Sequence, residues 1–494
     1  MSWRVWHKWA GILLAIPIMI FCFSGVVLNH RQALSRFAVS RSWLPDAYQI
    51  EHWNQGVVRG SLWLSDSVQL LYGQVGMWQT DSAMSYATDY NAGVTPGIDN
   101  RKISHVVRTA DGQLWASGLY DVWRRDTVSD AWQSVQLPGN EERISDIALR
   151  GGDTLVVATR STLYTAHGPE YTFQERPLPC PEGYTPHTTL FKTVWMLHSG
   201  ELFGLPGRLV VDMLGIVLFI LCVTGIIFFV LRYSIRGARN AKQQAGWMKW
   251  QLKWHKRLGT WLIVLTVLLA VTGMCLRPPL MIPLVMTDVK PLPGSTLDDP
   301  NALHDKLRGI RWDELRQQWL LSTSEGFYWL DTTLCQSAPQ PARPAPGVSP
   351  MGITVFEPDG DEWLIGSMSG LYRWQPDSAR ILDFYTGQPY RRPTGRPVGT
   401  HAVMGYLPAT PQRDAVAFEY SAAPNVAMPD MPTELQSQPM SLWNFALELH
   451  VGRCYEPFLG SVVSVLFVFI SGLLLALILI SGYIIVKRRT SRDY

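Results

Sequence analysis

Four uninterrupted apolar runs punctuate the chain: Ala10 to Leu28, Leu209 to Leu231, Leu258 to Leu276 and Phe458 to Val486. Each reaches the roughly 20 residues that a helix needs to cross a bilayer. Asp212, near one end of the second run, is the one charged residue in them. The pattern predicts four transmembrane helices. The first run is long for a secretory signal and no small-x-small cleavage site follows it, so a retained helix is expected.

The long stretches between these runs follow a different rhythm. Short apolar strands alternate with turn signals such as Asp111-Gly112 and Asp359-Gly360. A recurring motif of glycine, an apolar residue and an aromatic follows each strand: Gly76-Met77-Trp78, Gly118-Leu119-Tyr120, Gly326-Phe327-Tyr328 and Gly370-Leu371-Tyr372, with Thr162-Leu163-Tyr164 in place of glycine. Copies at 76, 118 and 162, and at 326 and 370, are spaced by 42 to 44 residues. That period suits four-stranded propeller blades, which bury their faces by stacking on neighbours. The expected fold is therefore membrane α-helical, with four helices in a pseudo-two-fold repeat, plus an all-β, propeller-like domain outside the cytoplasm. The competing fold is two separate all-β meanders. The expected division is residues 1–30 for the N-terminus and first helix, 31–206 for the first β segment, 207–232 for the second helix and 233–257 for a basic loop. It continues with 258–277 for the third helix, 278–457 for the second β segment, 458–486 for the fourth helix and 487–494 for the tail.

Charge sets the orientation. The net charge of +3 points to no nucleic-acid partner, but the cations are concentrated. Arg232, Arg236, Arg239, Lys242, Lys249, Lys253, Lys256 and Arg257 lie between spans two and three with no acid among them. Arg4 and Lys8 stand before span one, and Lys487, Arg488, Arg489 and Arg492 follow span four. The positive-inside rule puts all three groups in the cytoplasm. Both termini are then inside, and in a Gram-negative cell the β segments are periplasmic, on a multi-pass protein of the inner membrane. The 21 tryptophans suit membrane interfaces, sheets and flat cofactors. The six cysteines have no CxxC or zinc spacing; Cys180 and Cys335 are the candidate disulfide.

The candidate chemistry sits at the ends of the spans. Span one opens with Trp6-His7-Lys8-Trp9-Ala10-Gly11 and reaches Ser24-Gly25. Span three opens with Trp254-His255-Lys256-Arg257-Leu258-Gly259 and reaches Thr272-Gly273, so each histidine precedes its two glycines by 4 and by 18 residues. Leu197-His198-Ser199-Gly200 stands before span two, and Leu449-His450-Val451-Gly452 before span four. Two copies of one unit with the same topology imply a pseudo-two-fold axis along the membrane normal. Such an axis sets His7 opposite His255 near the cytoplasm and His198 opposite His450 near the outer face. Imidazole is an ordinary axial ligand of haem, so two haem b groups are expected, with His7, His255, His198 and His450 as iron ligands. His30 is a further outer candidate. Arg4, Arg208, Arg277 and Arg453 are candidate partners for haem propionates, since arginine matches carboxylates bidentately. The bland alternatives are headgroup anchoring for a single histidine, snorkelling for the arginines, and helix packing for Gly11, Gly25, Gly215, Gly225, Gly259, Gly273 and Gly472. The other histidines, scattered over the β segments, are expected mostly at the surface, with His401 in Gly399-Thr400-His401 as a weaker loop candidate.

These motifs, with Glu201, Phe203-Gly204 and Asp212, resemble the PepSY-associated transmembrane family over the four spans and their flanks. The resemblance implies haem-mediated delivery of electrons to a ferric siderophore or similar iron chelate outside the cytoplasmic membrane. The β segments depart from the small α+β modules common in that family. No nucleotide-binding fingerprint occurs in the cytoplasmic segments, so the donor would be another protein, a soluble flavin or a membrane quinol. No protease, lipase or P-loop signature supports hydrolysis. The rival functions are a non-redox sensor or scaffold and a metal or haem transporter.

Overall fold

The computed structural model describes residues 2–139, 143–234, 241–347, 349, 351–391, 401–411 and 413–490. Arg236, Arg239, Arg492 and Gly399-Thr400 therefore lie outside the described residues, as do the side chains of Arg232, Lys242 and Arg489. The chain forms two compact units: Met1–Leu34 with Thr185–Asp299 and Leu442–Tyr494, and Ser35–Tyr184 with Pro300–Ser441.

The first unit is helical. Its helices are α1 (Trp3–Asn29), α2 (Leu190–Ser199), α3 (Gly204–Ser234), α4 (Ala241–Trp261), α5 (Ile263–Cys275) and α6 (Met281–Val285). α7 (Thr433–Gln436) belongs to the second unit, and the first resumes with α8 (Leu442–His450) and α9 (Glu456–Thr490). Three helical stretches are long and apolar enough to cross a membrane: Trp3–Asn29, Glu201–Leu231 and Arg453–Arg488. Their buried faces meet around Leu14, Ile18, Leu218, Leu221, Ile478 and Leu479. The third expected span is different. The run from Leu258 to Leu276 is not one straight helix, because the chain bends by 68° between Ala245–Trp261 and Ile263–Cys275. Leu262, at φ −102° and ψ 11°, makes the break. The physical reason lies upstream. α4 carries Lys249, Lys253, Lys256 and Arg257, and each cation taken into hydrocarbon costs several kcal/mol, about 2.5–3.5 by insertion scales. The apolar α5 enters without it.

The second unit is built from strands of both expected β segments. Five four-stranded antiparallel sheets span residues 60–89, 105–135, 144–176, 307–341 and 355–383, and a two-stranded sheet spans 403–419. The glycine-aromatic motif marks the third strand of its sheet, as in Gly76–Asp81, Phe327–Leu330 and Gly370–Gln375. Large aromatics fill the cores between strands; Trp115, Trp132, Trp319, Trp363 and Trp374 are buried. The first strands of the sheets are Gly60–Trp63, His105–Arg108, Ile144–Arg150, Leu307–Asp313, Val355–Asp359 and Val403–Leu407. They are neighbours in that order, and Val403–Leu407 also neighbours Gly60–Trp63. Asp146 of the earlier segment pairs with Arg311 of the later one at 2.6 Å, and Arg59 donates to the Ile353 carbonyl at 2.6 Å. The two β segments thus share one unit rather than forming two. Cys180 and Cys335 are free thiols, each with its sulfur near a local carbonyl, Pro181 and Thr333 respectively, so the candidate disulfide is not formed.

Candidate functional site

The Leu-His-x-Gly motifs are helix ends. Gly200 and Gly452 both take φ 82°, the left-handed conformation that stops a helix cheaply only at glycine. Each leaves a histidine, His198 or His450, in the last turn of a short helix. His7 and His255 sit instead within α1 and α4.

The four rings meet in two pairs. The centres of His7 and His255 are 6.4 Å apart with planes at 87°. Those of His198 and His450 are 6.2 Å apart at 51°. The sequence expectation named both pairs, and the structure brings both together.

Each ring is held the same way. Nδ1 of His7 reaches the Ile478 carbonyl and the Ser481 hydroxyl, both at 3.0 Å. Nδ1 of His255 reaches Thr224 Oγ1 at 2.9 Å. Nδ1 of His198 reaches the Leu269 carbonyl and Thr272 Oγ1, both at 3.1 Å. Nδ1 of His450 reaches Ser24 Oγ at 2.9 Å. Every one of these hydroxyls already donates its proton to a carbonyl of its own helix: Ser24 to Ile20, Thr224 to Ile220, Thr272 to Leu268 and Ser481 to Ile478. The hydroxyl can then only accept, so Nδ1 must carry the hydrogen and Nε2 is left as the bare nitrogen. That tautomer is the one in which Nε2 ligates a metal while Nδ1–H is fixed by its neighbours.

A glycine follows each hydroxyl and lies against the same ring. A Cβ built on Gly273 would meet His198 Cε1 at 2.7 Å, on Gly482 His7 Cε1 at 2.9 Å, on Gly25 His450 Cε1 at 3.4 Å and on Gly225 His255 Cε1 at 3.9 Å. Sequence reading had noticed Ser24-Gly25 and Thr272-Gly273 as landmarks and Gly225 as a packing position. It missed Thr224, Ser481 and Gly482 altogether. The signal was available: a Ser/Thr-Gly dipeptide occurs in all four apolar runs at the depth of a histidine. Gly215 and Gly472 serve helix packing, near Cys22 and Val26 and against Met274 respectively.

Haem fits these residues. Two metal–imidazole bonds of about 2 Å, plus about 1.2 Å from each nitrogen to its ring centre, would set the two rings about 6.4 Å apart. Both pairs match that spacing. Among the described residues no group of three or more metal-ligating side chains occurs, but a porphyrin asks the protein for only two. A Cβ on Gly11 or Gly259, one turn beyond His7 and His255 on the same helix face, would meet no atom within 4 Å. Arg277, which feels the charges of Arg453 and Glu448 on either side of His450 in sequence, has its Nε buried without a hydrogen-bond partner among the described residues. Burial, and then the charge of Arg453, hold the Arg277 guanidinium below its ordinary value; a carboxylate placed there would relieve both. Arg453 itself pairs with Glu448, Nε to Oε2 at 2.9 Å.

The remaining candidates stand apart. His30 Nε2 pairs with Asp212 Oδ2 at 2.7 Å, and Asn29 ties the same carboxylate to the Ser199 carbonyl next to His198. Arg4 is exposed in the first turn of α1, and Arg208 is partly exposed near the start of α3. His401 stacks on Tyr385, with centres 4.2 Å apart, and bonds Glu419 at 2.8 Å.

The strand-built unit holds a second polar cluster. Arg59, Tyr72, His105, Asp146, Arg311 and Glu357 line a cavity with room for about one water. His105, expected at the surface, is instead half-buried and lines this cavity. Burial, with Arg311 beside it, holds its imidazole down to about 3, so it is neutral. Burial raises the Glu357 carboxyl. Burial would lower the Arg311 guanidinium, but Asp146 and then Glu357 more than offset it.

A family model described as the PepSY-associated TM region matches residues 1–232 and 229–489. No curated protein matches. Similar solved structures include the extracellular domain of a hybrid two-component system from B. thetaiotaomicron, at 12% identity and TM-score 0.36, covering 75% of this chain and 32% of that one. The extracellular domain of a one-component system from the same organism gives 11% and 0.32, covering 76% of this chain and 40% of that one. The chain therefore spans well under two thirds of either.

Proposed function

The chain belongs to the PepSY-associated TM family, and on that premise we propose that it is a membrane electron-transfer protein, a ferric-chelate reductase holding haem b at each histidine pair. The observation that carries this reading is the matched ring spacing, 6.4 and 6.2 Å, with every Nδ1 already committed elsewhere. Bound there, haem supplies one-electron transfer from a cytoplasmic or membrane donor to a siderophore-type ferric chelate on the outer side. The chain's own residues do the rest. His7 with His255, and His198 with His450, offer Nε2 from both sides, and their Nδ1–H bonds fix ring angle and raise basicity. Arg277 and Arg453 suit the carboxylates of the group held by the second pair. The ferric cargo, once reduced, binds hard oxygen ligands less well and is released.

The basic stretch around α4 favours the first pair near the cytoplasm and the second near the periplasm. The strand-built unit then stands in the periplasm. Six sheets whose first strands follow one another and return to the start support a propeller-like ring. The exchange of anchors supports a pseudo-two-fold axis: His7 leans on the fourth span and His255 on the second, while His198 leans on the third and His450 on the first.

The test is an absorption spectrum of the full-length protein, purified in detergent from haem-replete cells. Dithionite should sharpen a low-spin Soret band and an α band, and a ferric chelate should return both to the oxidised form. A colourless preparation would sink the reading in favour of a sensor or a transporter.

A further inference from the structure

The helix that carries His255 has two other faces, and neither is used by the histidine site. At 3.6 residues per turn, Trp247, Trp250, Trp254 and Trp261 fall within an arc of about 60° on α4. They are 53%, 58%, 36% and 69% exposed, which is unusual for large aromatics gathered in one stripe. Lys249, Lys253, Lys256 and Arg257 fill the adjoining arc, about 100° wide. The helix contains no acidic residue. His255 and Gln251, which is 4% exposed, lie on the side away from the cations. Arg257 rests over both Trp254 and Trp261, at 5.6 and 6.0 Å, so the two stripes are stitched along one edge.

The 68° bend at Leu262 keeps α4 out of line with α5. A helix so bent, with indoles on one flank and cations on the next, has the composition of one lying in the plane of a membrane surface. Indole rings prefer the boundary between headgroups and acyl chains, and ammonium and guanidinium groups prefer anionic headgroups.

We propose that α4 is an interfacial helix whose cationic stripe binds anionic phospholipid headgroups while its tryptophan stripe rests at the acyl boundary. The occupant is the phosphodiester of a lipid in the bilayer that the chain spans. Charge complementarity argues for it, and the chain's own adjacent spans bring that surface to the helix. The proposal rests only on the chain spanning a membrane, and stands or falls separately from haem binding.

Two measurements test it on the full-length protein. Native mass spectrometry after equilibration with mixed phosphatidylglycerol and phosphatidylcholine should find phosphatidylglycerol retained preferentially. The variant Lys249→Gln/Lys253→Gln/Arg257→Gln should lose that preference by about tenfold or more, since each cation near an anionic surface is worth about fivefold. An unchanged preference in the variant overturns the proposal. Full competition by soluble glycerophosphate also overturns it, by showing a free phosphate site. In vesicles, the fluorescence lost in Trp247→Phe/Trp250→Phe/Trp254→Phe should be the part quenched by lipids brominated near the headgroup. If aqueous acrylamide quenches that part instead, the stripe faces water or an acidic protein partner and the proposal fails.

Discussion

His105 in the strand-built unit and His255 in the helical one are both half-buried histidines whose Nδ1 is committed, yet their surroundings are opposites. Around His105 every charge has an answer. Its Nδ1 donates to the Ile147 carbonyl at 2.7 Å, Asp146 meets Arg311 at 2.6 Å, and Arg59 meets a carbonyl. Around His255, among the described residues, Nδ1 has the Thr224 hydroxyl and the Leu221 carbonyl, and otherwise its ring faces the ring of His7, which is anchored in the same way. Two bare nitrogens offer nothing to each other. A buried polar set that sums to zero is a structural core, whereas a buried set left one partner short marks a place where something else binds.

The largest way to break this comparison is to delete each histidine in turn. On the proposed reading of one haem at each pair, His255→Ala should remove about half of the reduced-minus-oxidised absorbance per protein. His105→Ala should leave that absorbance unchanged. Next, Asp146→Ala should strand the buried Arg311 guanidinium and cost about 3–5 kcal/mol in the strand-built unit. Hydrogen exchange of peptides from Ile144–Arg150 should rise while the absorbance holds. Smaller, and confined to the helical unit, Gly273→Ala should push its Cβ into His198 and lower haem retention, whereas Gly259→Ala, with open space before it, should not. Thr224→Val should weaken retention at the first pair by about tenfold, the usual scale for a lost outer hydrogen bond to a ligating histidine.

The smallest effect is acid sensitivity. The unfolded chain protonates His105 near its ordinary value of about 6.5, while the folded ring stays neutral down to about 3. Between those values the unfolded state binds more protons, so stability falls as pH falls. From pH 7 to 5 the strand-built unit should lose about 1–2 kcal/mol on this account. Glu357, raised by burial, works in the other direction. His105→Gln should therefore flatten the histidine's part of the curve, read by thermal unfolding of the full-length protein at the two pH values.

Much of this was legible before any coordinates. The apolar runs located the spans, the 42-to-44-residue period counted the four-stranded sheets, and the His-to-Gly spacings paired the rings. What stayed hidden was hidden for definite reasons. Thr224 and Ser481 are small hydroxyls inside apolar runs, where a helix can satisfy them on a carbonyl of its own preceding turn, so nothing in the sequence shows them accepting from a distant ring. The break at Leu262 is masked because hydropathy runs smoothly through it; only the competing pull of the cations upstream reveals that the two sides want different depths. His105 begins His105-Val106-Val107-Arg108, which reads as an ordinary half-exposed strand. Its burial depends on Arg311 and Glu357, more than 200 residues away, and no local pattern encodes that.

The anchors also carry a consequence in time. The hydroxyl that fixes His7 belongs to Ser481, so a ring made early waits for a side chain made 474 residues later. The second pair needs His450 seated on Ser24, 426 residues earlier in the chain, and it too stays incomplete over that whole stretch of synthesis. A nascent chain stalled between His255 and His450 would carry both rings of the first pair without the Ser481 anchor, and only one ring of the second. Both pairs are thereby fully framed only once α9 has been made.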